Sequence, residues 1–137
     1  MLTEAITTLI LEEQARQGGR FVEGVDLETY LRKLDEHAEV VTDSLAGRCR
    51  GFVAFYCNDM TTRQAYVSLV LVDPRDRATG LGRRLVSEVL EICRQRGFVS
   101  CRLEVRKDNV AALGMYRALG FAPVAERANA DVLELLL

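Results

Sequence analysis

At 137 residues the chain has the length of one ordinary domain, and a 49% hydrophobic content is too high for a chain that stays unfolded. Eighteen basic against twenty acidic residues give a net charge of −2, which excludes the broad basic footprint of a general nucleic-acid binder. No run approaches the roughly 18 apolar residues of a membrane helix, Met1-Leu2-Thr3-Glu4 carries no basic leader, and Glu12-Glu13 break the apolar stretch that follows, so neither a membrane partner nor a secretory signal is expected.

Residues 3–17 read as a helix: Ile6, Leu9, Ile10 and Glu13 follow three-and-four spacing, and Gly18-Gly19 stops it. A second helix starts at Asp26 as N-cap, with Leu27, Tyr30, Leu31 and Leu34 as its apolar stripe. Glu39 to Asp43 reads as a short strand, Ser44 to Arg48 as a turn containing Gly47, Arg50 to Cys57 as a strand, and Asn58 to Arg63 as a polar loop. Ala65 to Asp73 is the next strand. Its Leu69-Val70-Leu71-Val72 segment is apolar on both faces, as in a central strand covered by helices. These three strands form an antiparallel meander.

Pro74 to Thr79 is a loop, and Leu81 to Arg96 is the strongest helix, with Leu81, Leu85, Val89, Ile92 and Cys93 on one face and Gly97 at its end. Phe98 to Val105 is a strand. Asp108-Asn109 cap a short helix from Val110 to Leu119, closed by Gly120, and two strands follow near Phe121 to Glu126 and Val132 to Leu136. The predicted fold class is α/β of the α+β kind: a single mixed, mainly antiparallel, twisted sheet with helices on both faces, in one domain over 1–137. The apolar run from Val132 to Leu137 is expected to pair into the sheet, with a homodimer through it as an addition.

The cysteines, Cys49, Cys57, Cys93 and Cys101, form no CxxC pair, and His37 is the sole histidine, so no metal site is expected. Four such thiols fit small buried hydrophobes in a reducing cytoplasm. The charge is uneven along the chain. Residues 1–45 carry ten acids and four bases, and residues 75–107 carry nine bases and four acids. The first region favours a cation and the second an anion, or both are solvated faces.

The segment Arg77-Ala78-Thr79-Gly80-Leu81-Gly82 lies between a buried strand and the long helix. Unpaired N–H groups and the helix dipole bind anions at such a junction, and glycine admits a phosphate oxygen close to the backbone. Arg75, Arg77, Arg83 and Arg84 add charge around it. A Walker loop would need GK[ST], but Gly82 is followed by Arg83-Arg84. A dinucleotide fingerprint would need a third glycine near Leu85. What remains is Arg-x-x-Gly-x-Gly after Val-Asp-Pro, either an anion cradle or a tight turn with arginines in solvent.

A second set of residues follows: Leu103-Glu104-Val105, then Asn109, then Met115-Tyr116-Arg117-Ala118-Leu119-Gly120-Phe121. With Val70-Leu71-Val72-Asp73-Pro74 and the glycine loop, in that order, the chain from Val67 to Phe121 resembles the GNAT superfamily of acyl-CoA-dependent N-acetyltransferases. The front departs from the family, which opens with a strand before its first two helices. Here a helix comes first.

The resemblance implies that acetyl-CoA is the co-substrate. Its pyrophosphate would sit on the N–H groups of Ala78, Thr79, Gly80, Leu81, Gly82 and Arg83, next to Arg77, and its pantetheine arm would pair with Val70, Leu71 and Val72. A bulge would splay that strand from the one at Val99 to Val105, and an N–H near Leu71 or Val72 would polarise the thioester carbonyl. Asn109 matches a position close to the cofactor arm. Tyr116 matches the acid that reprotonates the leaving thiolate, its other role being a core aromatic. Glu104 is the candidate base, through a water, or a carboxylate that only orients the amine. Direct transfer is expected, without a Cys–His nucleophile.

The family places acceptor contacts on the first two helices and nearby hairpins, which here hold Glu23, Asp26, Glu28, Tyr30, Asp35, Glu36, Asn58 and Asp59. On that basis residues 1–64 form the acceptor side, 65–121 the acetyl-CoA core and 122–137 the closing strands. A small-molecule primary amine ranks first as acceptor partner. Phe55 to Asp59 loosely resembles members linked with sugar metabolism, so an amino sugar is included. Protein N-termini or lysines are the alternative within the class, and a CoA-binding module without turnover is the alternative outside it.

Overall fold

The structure is a computed structural model and describes residues 1–137. The Thr3 hydroxyl accepts the Ile6 N–H at 3.2 Å and starts α1 (Glu4–Arg16), and the Asp26 carboxylate accepts the Thr29 N–H at 3.0 Å and starts α2 (Leu27–His37). The fully buried residues of α1 are Ile6, Leu9, Ile10 and Glu13, the four positions its spacing singled out. In α2 only Leu34 is fully buried, while Leu27, Tyr30 and Leu31 are partly covered.

Three strands follow as a meander: β1 (Glu39–Leu45), β2 (Arg48–Tyr56) and β3 (Gln64–Val72), antiparallel throughout. A 3₁₀ turn at Pro74–Asp76 leads to α3 (Leu81–Gln95), then come β4 (Ser100–Arg106), α4 (Val110–Leu119), β5 (Ala122–Glu126) and β6 (Ala130–Leu136). The six strands form one sheet in the order β1-β2-β3-β4-β6-β5, with β3 and β4 its one parallel pair. A parallel pair needs a crossover, and α3 supplies it. The apolar run near the C-terminal residue lies inside the sheet, since β6 pairs with β4 from Arg106↔Ala130 to Ser100↔Leu136. The chain enters the fold on α1, and β1 is an edge strand. No helix is long and apolar enough to cross a membrane.

The sheet has an apolar core on each face. On one face, Leu81, Leu85, Val86, Val89, Leu90 and Cys93 of α3 and Tyr116 of α4 pack on Val53, Phe55, Val67, Cys101 and Leu103. Each such aliphatic side chain contributes roughly 1.5–3 kcal/mol when fully buried. The approach of α3 to the sheet is close: a Cβ on Gly51 would lie 3.2 Å from the Leu71 carbonyl and 3.3 Å from Leu81 and Leu85. On the other face, Ile6, Leu9, Ile10 and Leu34 cover Cys49, Phe52, Ala54 and Leu71. Leu69 and Leu71 turn to this second core while Val70 and Val72 turn to the first, as expected of a strand apolar on both sides. All four cysteines are buried and free.

Candidate active site

The sheet opens where β3 and β4 part. Ala54 and Phe55 of β2 pair with Leu69 and Val67, so Ser68 is an extra residue in β3. A bulge of this kind bends its strand. Pairing between β3 and β4 stops at the same point, at Val67↔Leu103, although β3 runs on to Val72 and β4 to Arg106. A V-shaped slot results, with backbone on both walls.

Alternation decides which backbone groups face that slot. The Asp73 N–H donates to the Arg50 carbonyl at 2.8 Å, so Leu71 exchanges bonds with Phe52, and the N–H and C=O of Val70 and Val72 point away from β2. The Val72 carbonyl accordingly accepts from Arg77 Nε at 3.2 Å. Of the expected Val70 to Val72 wall, Val70 and Val72 present backbone to the slot. The Leu71 backbone turns to β2, and its side chain lies under α1.

Beyond β3 the chain forms a cradle. Ala78 and Gly80 both take positive φ, 62° and 82°. Gly80 is the N-cap of α3 with no side-chain cap, and no acidic residue stands in the first turn. Past the 3₁₀ turn, the N–H groups of Ala78 and Gly80 donate to no acceptor within the protein. Those of Leu81, Gly82 and Arg83 open α3 with no preceding turn to receive them, whereas Arg84 N–H already bonds to Gly80 O at 3.0 Å. Gly82 lets α4 come near: a Cβ there would lie 3.4 Å from Met115 Sδ and from Val72. A run of unsatisfied donors beside a helix dipole fits a diphosphate.

The arginines around this cradle are less free than their number implies. Arg75 bonds to Asp73 at 2.8 Å and Arg77 to Glu13 at 3.0 Å, and Arg84 pairs with Asp43. Arg83 has no carboxylate partner and is exposed. Asp73 is buried. The guanidinium of Arg75 first, then its N–H and Arg48, hold its carboxyl well below the usual aspartate range despite burial.

Tyr116 and Glu104 stand on opposite faces of β4. The Tyr116 ring is buried among Cys101, Leu103 and Val105 and meets Phe121 edge-on at 5.7 Å. Burial pushes its phenol above the ordinary value, with the Cys101 thiol adding to the shift. That thiol is itself pushed up to about 12 by burial. The Tyr116 hydroxyl makes no hydrogen bond within the protein, and its oxygen is not sealed from solvent. Asn109 is the N-cap of α4, its side chain accepting from Ala112 N–H at 3.2 Å, and so sets the direction of the Tyr116 helix.

Glu104 faces α1 and α2. Its carboxylate holds Arg127 Nε, from the turn between β5 and β6, at 2.7 Å. Tyr66 lies beside it, its phenol raised by burial first and by the Glu104 carboxylate and Tyr30 next. The Tyr30 hydroxyl in turn lies 2.9 Å from Ser68 Oγ, at the bulge.

The acidic residues expected to face the acceptor do not form one field. Asp26 caps α2, Asp59 accepts the N–H groups of Thr61 and Thr62 at 3.1 Å, and Asp35 accepts Leu2 N–H at 2.7 Å. Glu28 pairs with Arg32, and Glu36 lies 3.6 Å from His37. Asn58 and Asp59 follow β2 and precede β3, at the end of the sheet opposite the slot. Glu23 is 3.9 Å from Arg106, at the mouth of the slot. Arg127, Tyr66 and Ser68 were not singled out from the sequence, because only the bulge and the β5–β6 turn bring them together.

A model of the acetyltransferase (GNAT) family matches residues 7–121. Ribosomal protein bS18-alanine N-acetyltransferase of Salmonella typhimurium is 36% identical over 76 residues, 56% of this chain and 51% of that protein. The match therefore spans about half the length of that curated relative. N-alpha-acetyltransferase RimI of Mycobacterium tuberculosis is 48% identical over 61 residues, 44% of this chain and 37% of that protein. The crystal structure of the ribosomal-protein-S18-alanine N-acetyltransferase from Escherichia coli superposes with a TM-score of 0.76 at 21% identity, covering 98% of this chain and 90% of that one.

Proposed function

The chain belongs to the GNAT acetyltransferase family and is an acyltransferase, and from that premise we propose that it moves an acetyl group from acetyl-CoA to the α-amino group of a protein N terminus. The observation that carries the acetyl-CoA half is the set of free N–H groups between Ala78 and Arg83 at the mouth of the β3–β4 slot. The relatives carry the acceptor half. Both are named as N-terminal or ribosomal-protein alanine acetyltransferases, which favours the protein alternative over the small-molecule amine that ranked first from the sequence. A cytoplasmic site of action fits four free, buried thiols.

Acetyl-CoA, when bound, supplies an activated acyl carbon and a thiolate leaving group. The free N–H groups between Ala78 and Arg83 would hold its diphosphate, and the outward backbone of Val70 and Val72 would pair with its amide-bearing arm. The Val72 N–H would serve as the oxyanion donor. Glu104 takes a proton from the incoming ammonium, directly or through one water. The amine nitrogen would then bond to the acyl carbon as the carbon–sulfur bond breaks, and Tyr116 would give its phenol proton to the departing sulfur from the opposite face of β4. The second proton that the nitrogen sheds on becoming an amide leaves to solvent with the one held by Glu104, and solvent returns one to the phenolate. The Glu104 carboxylate is masked by Arg127, so the arriving ammonium exchanges with a guanidinium, cation for cation.

The test is thiol release from acetyl-CoA with peptides of different N-terminal residues beside a panel of amines and amino sugars. Turnover with free N-terminal peptides, abolished by blocking the α-amine, supports the reading. Turnover confined to small amines returns the first-ranked acceptor, and CoA binding without turnover removes the enzyme.

A further inference from the structure

The end of α1 is hydrogen-bonded to the cradle on one side of the slot and to the last residue of β4 on the other. Glu13 sits on the buried stripe of α1 with a side chain only 4% exposed. Its Oε1 accepts from Arg77 at 3.0 Å, and Arg77 also donates to the Val72 carbonyl at the end of β3. Its Oε2 accepts from Gln17 Nε2 at 2.6 Å. The Gln17 Oε1 then accepts from Arg106, the last residue of β4, at 2.9 Å, and Arg106 donates to the Arg20 carbonyl at 2.6 Å. The result is a continuous hydrogen-bonded line, Val72 to Arg77 to Glu13 to Gln17 to Arg106, joining the free ends of the two strands that part at Val67 and Leu103.

Glu13 can hold this line because it stays ionised. Burial alone would raise its carboxyl, but the Gln17 amide and the Arg77 and Arg16 guanidiniums hold it below the ordinary glutamate value. Charge-assisted bonds of this kind are stronger than neutral ones and fix geometry. A single buried carboxylate on an otherwise apolar stripe has no packing reason to be there.

We infer that Glu13 is a positioning residue which, through Gln17, ties Arg77 to Arg106 and so sets the width of the slot and the pose of the cradle for the acyl carrier. This rests on the reading that the slot holds acetyl-CoA. The bridge touches backbone and arginines at the slot's rim and none of the reacting atoms. Its loss therefore weakens carrier binding and leaves the chemical step alone.

The experiment pairs Glu13→Gln with Gln17→Met, which removes the amide at similar size from a partly exposed site, and uses Glu12→Gln as the control. CoA affinity is read by calorimetry, and KM and kcat are read with acetyl-CoA varied. Both bridge variants are expected to raise the CoA Kd and the acetyl-CoA KM about tenfold, the size of a lost charge-assisted hydrogen bond. The expected kcat at saturation stays within about twofold, and the control matches wild type. In a double-substitution cycle, Arg77→Gln and Arg106→Gln, which do not touch each other, should cost less together than the sum of the two. Wild-type CoA affinity in both bridge variants, or kcat falling in step with melting temperature while KM holds, overturns the inference and leaves the acetyl-CoA reading standing. A wild-type protein that binds no CoA overturns both.

Discussion

The two faces of the sheet are held by different physics. On the α3 and α4 face, eighteen buried residues form one apolar cluster, and the polar groups sit at its rim, on the cradle and at the Tyr116 hydroxyl. On the α1 and α2 face the buried cluster has nine residues, and much of the remaining surface is laced with polar bonds. Glu13 holds Arg77, Tyr30 meets Ser68, Arg102 bonds to Glu134 at 2.5 Å, and Glu104 holds Arg127. On the function proposed above, the first face preorganises backbone for the acyl carrier. On the second, the exposed Glu104–Arg127 pair is the one a cationic acceptor can exchange with, while the buried Glu13 holds its partners in place. Close packing resists change, and an exposed ion pair costs little to swap.

Substitutions on the two faces should therefore fail in different ways. Tyr116→Phe on the packed face should have the largest effect, a fall in turnover of about 10²- to 10⁴-fold with CoA affinity unchanged. Steady-state rates with calorimetry on the same sample decide it, and unchanged turnover would remove Tyr116 as the acid. Since burial raises the Tyr116 phenol, it remains protonated past its ordinary value, and kcat should show no loss from its ionisation below pH ~10. At the rim, Gly82→Asp brings a carboxylate to the diphosphate and crowds Met115 and Val72. CoA should bind roughly 10- to 100-fold more weakly, and unaltered calorimetric affinity would place the anion elsewhere.

Asp73→Asn should lower stability by about 1–2 kcal/mol at pH 7, reduced because its partner Arg75 is largely exposed. The sign follows from the depressed carboxyl. Its contribution is complete above the ordinary aspartate value of 3.8 and is lost as the pH falls below it. Urea melts of wild type and variant should differ at pH 7 and converge in acid. The smallest effect belongs to the exchangeable face. Arg127→Ala should lower the KM for the amine acceptor about two- to threefold, in line with an exposed ion pair. A raised KM would make Arg127 an acceptor contact instead of a placeholder.

The same division governs what could be read from the residues. The strands and helices were legible because their periodicity is local, as the α1 stripe of Ile6, Leu9, Ile10 and Glu13 illustrates. The cradle was legible because Gly80, Gly82 and the start of α3 are neighbours in the chain. Pairs 64 and 89 residues apart, Glu13 with Arg77 and Gln17 with Arg106, leave no local trace. The charge on the buried stripe at Glu13 was the one signal available. Counting acids in residues 1–45 pointed to a negative acceptor field, but capping and ion pairing consume most of them one by one. The bulge at Ser68 follows from the resemblance and from nothing in its own residue type.

The parallel seam between β3 and β4 is only four residue pairs long, from Gln64↔Ser100 to Val67↔Leu103. Every other neighbour in the sheet is joined antiparallel over a longer ladder or by a direct hairpin. The molecule is thus a book with a short spine: one cover carries β1 to β3, the other β4 to β6, and α3 is the binding laid across. The angle between the covers is therefore set by that spine together with the Glu13–Gln17 line across its open end.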